Sequence, residues 1–206
     1  MLSYFGALLG FVLIYIQPNL ISSSDIGLLR LMYSFSWMTA TLIPLGAGHL
    51  TMRYFPKILN SENKHNGLFS LLFLLSSIGA VLVGIILFLN KNQFSSYYKN
   101  SPEFPEHFNE AIVFAYILSL ISIFTIYSSA LLKTTITVFL TDVFTRIGQL
   151  ILVIVYHYGF ISQNNLVIGY IGIFLLQLIF LVAYLFFQNS ISISINWNFF
   201  KSFDLK

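Results

Sequence analysis

Six stretches of this 206-residue chain stay apolar for the length of a helix, with few charges inside them. They run over 2–16, 26–50, 68–89, 111–132, 136–158 and 166–187. A helix crossing the hydrocarbon core of a bilayer needs about 20 apolar residues, and lengths of 20 to 25 suit spans with some tilt. Buried β-strands fail as an alternative, because turns would have to interrupt them every few residues. A soluble domain carries roughly 25% charged residues, against 8% here, and the mean hydropathy is +0.84. Such a chain could not bury its Leu, Ile and Phe away from water by folding alone. The expected class is an all-α membrane protein with six transmembrane helices.

The ten Lys and Arg give a net charge of +3. They are scattered between apolar runs, which reads as topological signalling rather than nucleic-acid binding. Arg53, Lys57, Lys64, Lys133, Lys201 and Lys206 fall on one side of the expected topology. Lys91, Lys99 and Arg30 fall on the other, where Glu103, Glu106 and Glu110 dilute them. Positive residues stay inside, so both termini are expected in the cytoplasm.

The chain has no cysteine, which excludes disulfides, iron–sulfur clusters and thiolate nucleophiles. His49, His65, His107 and His157 lack metal-site spacing, and no metal or other cofactor is expected. No basic n-region and cleavage site mark a removable signal peptide. The first run is short and has no preceding cation, which reads as missing N-terminal sequence or a mis-assigned start. In the long third connection, Tyr97 and Tyr98 are expected to be interfacial anchors. The tail 188–206, with Trp197, Phe199, Phe200 and Lys201, reads as a short helix on the inner membrane surface or as the lead-in to a further span.

Charges inside spans are expensive and usually functional. Arg146 lies 13 residues beyond Lys133, or roughly 20 Å along a helix, too deep to snorkel. Asp142 precedes it by one turn, where opposite charges can pair. Either the two neutralise each other while pinning the fifth segment, or they line a polar cavity. Arg30 sits five residues into the second segment and can snorkel outward. Asp25 reads as an N-cap. Pro44, Gly46 and Gly48 predict a kink late in the second segment. Gln149, Gln177, Thr125, Thr135, Thr141 and Thr145 are candidates for hydrogen bonds across helices. Gly6-x-x-x-Gly10 permits close helix approach, although the pattern is common by chance in apolar sequence. Hydrolase, nucleotide-binding and dinucleotide fingerprints are absent, and no enzyme activity is expected.

Two stretches resemble a known family. Gln17-Pro18, then Asp25-Ile26-Gly27-Leu28-Leu29-Arg30, Leu45-Gly46 and Met52-Arg53-Tyr54-Phe55-Pro56 look like the start of bacterial polysaccharide flippases. These belong to the multidrug, oligosaccharidyl-lipid and polysaccharide exporter superfamily. Thr141-Asp142-Val143-Phe144-Thr145-Arg146 falls where such proteins carry an acidic residue and an arginine. The resemblance implies two six-helix lobes around a central cavity, working by alternating access. This chain would supply the N-terminal lobe and is expected to be a fragment of a longer transporter. It implies as substrate an oligosaccharide on a polyprenyl pyrophosphate, moved across the inner membrane for O-antigen or capsule synthesis. Arg146 would be the head-group cation, Arg30 an assisting cation near the mouth, and Asp142 an orienting or coupling residue. A second six-helix lobe or other polysaccharide assembly proteins would be its partners. The competing expectations are a multidrug or other solute exporter of the same superfamily, which would favour acidic residues over two arginines, and a non-transport membrane scaffold.

Overall fold

The computed structural model describes residues 2–58, 64–98, 101 and 103–188, and every regular element among them is helical. The tail expected to lie on the membrane surface, with Trp197 and Phe200, falls outside the described residues. Helix α1 (Leu2–Leu20) runs through Pro18 for one further turn, although Gln17-Pro18-Asn19 reads as a stop. Helix α2 (Ser23–Leu42) starts on Ser22, whose hydroxyl accepts from the Asp25 amide at 3.1 Å and donates to the Asp25 carboxylate at 2.7 Å. The cap is therefore Ser22, and the Asp25 carboxylate at position N3 holds the capping hydroxyl in place.

The expected second span, 26–50, is divided. Pro44 has no amide to continue the ladder, and Leu45 (φ 51°) and Gly46 (φ 82°) turn left-handed before α3 (Ala47–Ile58) resumes. Leu42 and Pro44 carbonyls accept from the amides of Leu45 (3.3 Å) and Ala47 (2.9 Å). A break this complete, rather than a kink, leaves backbone that lipid cannot satisfy, so protein must cover it. Helix α4 (Leu68–Leu89) does so with Gly79. A Cβ at that position would lie 2.9 Å from the Ile43 carbonyl carbon and nearer still to its oxygen.

The third connection holds more structure than a loop. Short α5 (Lys91–Tyr97) and the turn after it carry Phe94, Tyr98 and Phe104 onto Phe35 of α2, with ring centroids 5.4–6.5 Å apart. Tyr98 is thus part of an aromatic core (4.7 Å from Phe104). Helix α6 (Phe108–Ala130) is the central post. Of its most apolar stretch 67% is buried, against 17% for α1, and Phe108, Phe114, Phe124 and Tyr127 are enclosed on it.

The last two helices pack side by side. A rod covers Thr134–His157: α7 (Thr134–Val138), a π-helical turn (Phe139–Phe144) and α8 (Thr145–His157). Helix α9 (Gln163–Phe187) follows a turn at Gly159 (φ 75°) and starts on the Ser162 cap. Gly148 and Gly169 let the two approach, each occupied by a branched side chain of the other helix, Ile173 and Leu152.

Among the described residues five helices are long and apolar enough to cross a membrane: α1, α4, α6, the Thr134–His157 rod and α9. Helix α2 has the length, at 20 residues, but Asp25, Arg30 and its Ser and Thr residues lower its apolarity. The chain is an all-helical, multi-pass membrane protein.

Candidate functional site: an arginine in a glycine notch

The rod owes its π turn to its own sequence. Thr137, Thr141 and Thr145 recur every fourth residue, and each hydroxyl donates back to a carbonyl of its own rod: Thr134 (2.6 Å), Thr137 (2.9 Å) and Thr141 (2.6 Å). Such back-bonding loosens and bends helices, and π turns gather at functional positions. Thr141 and Thr145 therefore serve their own helix, not the cross-helix role expected of them.

The π turn and the first turn of α8 face α1. Gly6 meets the Asp142 backbone, and a Cβ there would come 2.7 Å from the Asp142 carbonyl oxygen. Gly10 meets the side chain of Arg146, and a Cβ there would come 2.7 Å from the guanidinium carbon. The two spacings of four residues match: the Gly6/Gly10 pair on one helix receives the Asp142/Arg146 pair on the other. The glycine motif, weak as a sequence signal, is thus the floor on which the arginine lies.

Arg146 has 12 residues of the rod before it and 11 after it, so it sits at mid-span. Among the described residues no ion pair joins it to Asp142 or to another carboxylate, and its Nε is buried without a hydrogen-bond partner. Asp142, half-buried, lies 3.3 Å from the Thr141 hydroxyl, whose one proton goes to the nearer Thr137 carbonyl. The self-neutralised pair is not made. Both side chains pack toward α1 instead, each against its own glycine.

One face of α2 carries a polar and aromatic stripe. Arg30, Tyr33, Ser34, Trp37 and Thr41 recur there at spacings of three and four, all exposed. Tyr33 lies within electrostatic reach of Arg146 and stacks on Trp37 (6.1 Å, interplanar angle 12°). Arg30 is one turn beyond Tyr33 with no bonded partner among the described residues. The structure thus places Arg146 and Asp142 together, with Arg30 on the facing helix rather than in contact. Tyr33 and Trp37 were not singled out from the sequence, although a polar and aromatic stripe at helical spacing was there to be read. An unpaired guanidinium at this depth suits an anion able to accept its planar fork, such as a phosphate or carboxylate.

A second polar cluster holds one end of the molecule. Asp25 is buried and accepts from Ser22, from the Tyr156 hydroxyl at 3.1 Å and from Gln163 Nε2 at 2.9 Å. The same Gln163 nitrogen donates to Glu103 at 2.8 Å, and Glu103 also accepts from Ser24 at 3.3 Å. Beside it, His157 Nδ1 meets the Leu20 carbonyl at 2.8 Å. This cluster ties the α1–α2 turn to the ends of α8 and α9.

Comparison with protein-family models, with curated proteins and with solved structures finds no match.

Proposed function

We propose that this chain is one lobe of a bacterial inner-membrane flippase for polyprenyl-pyrophosphate-linked oligosaccharide, serving surface polysaccharide synthesis. In this reading α2 and α3 together make the sixth span, both termini are cytoplasmic, and a second six-helix lobe faces the notch. The observation that carries it is the unpaired Arg146 at mid-span. A half-buried cation at mid-span with no counter-charge among the described residues is costly, and a pyrophosphate passing the notch supplies the missing anion. Arg146 is the head-group cation, Arg30 a second cation toward the mouth, and Asp142 sets how Arg146 is presented. The resemblance of 17–56 and 141–146 to polysaccharide flippases supports the same reading.

The test is genetic. Disrupting the gene should make lipid-linked oligosaccharide accumulate while surface polysaccharide falls, and the wild-type gene should restore both. Arg146→Ala, expressed to the same level, should fail to restore them, with export at least about 100-fold down, whereas Arg146→Lys should recover a part. Unchanged glycan pools in the disruptant would remove the reading and leave solute export or scaffolding. Full rescue by Arg146→Ala would remove the arginine's role.

A further inference from the structure

We infer that Tyr33 and Trp37 form a sugar-stacking platform, the subsite that holds a ring of the glycan beside the Arg146 anion site. This rests on the flippase reading above and adds to it the part of the substrate that the arginine does not touch.

The argument starts from depth. Aromatic residues with polar tips belong in the headgroup belts of a membrane. The Tyr33 ring, however, packs against Phe174 (5.8 Å) and Phe114 (6.3 Å). Phe174 is 11 residues into α9, or roughly 17 Å from its start. Tyr33 is therefore far below the belt, and Trp37 lies one turn further along α2.

At that depth Tyr33 is 37% exposed and Trp37 45% exposed. Neither the Tyr33 hydroxyl nor the Trp37 indole N–H has a hydrogen-bond partner among the described residues. Lipid tails offer such groups nothing, whereas a hydrated or glycan-filled cavity satisfies them. Arg146 Nε, buried without a hydrogen-bond partner among the described residues, likewise lacks an acceptor.

The two rings stack nearly parallel, 12° apart with centroids 6.1 Å apart, and leave an outer apolar face edged by donors. That combination fits a pyranose, whose C–H faces lie flat on an aromatic ring while its hydroxyls bond around the rim. Beyond Trp37 the platform opens into a cleft of about 170 Å³, where Thr41 and Ser122 add hydroxyls and the α2–α3 break at Pro44 and Gly46 forms the wall. Anion site, aromatic platform and hydroxylated cleft follow one another along one face of α2. This is the order of groups in a sugar attached to a lipid pyrophosphate.

The experiment uses the full chain in lipid nanodiscs and two probes: polyprenyl pyrophosphate without sugar, and the lipid-linked oligosaccharide extracted from the encoding cell. Wild type should bind the glycosylated lipid about tenfold or more tighter than the bare one. Trp37→Leu should abolish that preference and leave the bare lipid's affinity unchanged, Trp37→Phe should keep most of it, and Arg146→Ala should weaken both probes together. Trp37 emission, read in a Trp197→Phe background, should shift with the glycosylated probe and not with the bare one. Equal binding of the two probes by wild type, or an unaltered preference in Trp37→Leu, would overturn the platform while leaving the pyrophosphate reading in place. Failure of both probes to bind wild type would overturn the two together.

Discussion

The two polar regions of this protein are built on opposite principles. At the end of the bundle, Asp25 collects hydrogen bonds from Ser22, Tyr156 and Gln163, and Gln163 passes one on to Glu103. At mid-span, Arg146 has an Nε with no partner and no carboxylate in ion-pair range. The first region holds the fold together, because removing a member strands its partners. The second makes no such bonds among the described residues, and its cation is held by packing against Gly10. A polar group's satisfaction, more than its burial, separates a brace from a binding site.

Three substitutions sharpen that contrast. Asp25→Ala should have the largest effect on stability, about 2–4 kcal/mol, since it leaves Ser22, Tyr156 and Gln163 without their acceptor. Denaturant titration in detergent micelles would read the loss, and a change under about 0.5 kcal/mol would mean that water replaces the carboxylate without cost. Gly10→Ala should cost less, about 1–2 kcal/mol, because the guanidinium can be pushed aside more easily than backbone. Its mark would be lower transport despite an intact arginine. A Gly10→Ala variant with normal transport would show that the notch does not aim Arg146. Tyr156→Phe should be smallest, about 0.5–1.5 kcal/mol for one hydrogen bond to a carboxylate, with transport unchanged. A transport defect as large as that of Arg146→Ala would erase the distinction between the two regions.

Much of the architecture was legible because the solvent is lipid. Apolar length alone marks α4, α6, the Thr134–His157 rod and α9 to within a few residues. Boundaries were harder where local chemistry competes. Pro18 and Asn19 read as a stop, yet the helix continues past them, with the Asn19 amide bonded to the Tyr15 carbonyl (3.1 Å). Pro44 announced a kink, but not that Leu45 would join Gly46 in the left-handed region, an outcome that depends on Gly79 covering Ile43. Asp25 was correctly placed at a helix start and given the wrong position in it, because Ser22 and Asp25 can both cap.

Of the site, Arg146 and Asp142 could be named from depth and spacing, and Arg30 from its place near a span end. Their floor could not be, since a glycine pair is frequent in any apolar helix and only the facing residues give it meaning. Nor could the sequence show that Asp142 and Arg146 stay apart, as their spacing of four is the one at which a regular helix would let them join. The α2 stripe was missed for a different reason: the depth of Tyr33 is fixed by its partners Phe114 and Phe174, which lie 81 and 141 residues further along the chain.

The π turn at Phe139–Phe144 has a consequence for how this protein can vary. Deleting a single residue there, Leu140 for instance, would keep Asp142, Arg146 and both glycines in the sequence. It would also turn everything downstream by about 100° relative to α7. The cation would then sweep past Gly10 toward the hydrocarbon while every named residue survived. What is inherited at this position is therefore a count as much as a composition. Substitutions that keep the length of the turn should preserve the notch better than any insertion or deletion in it.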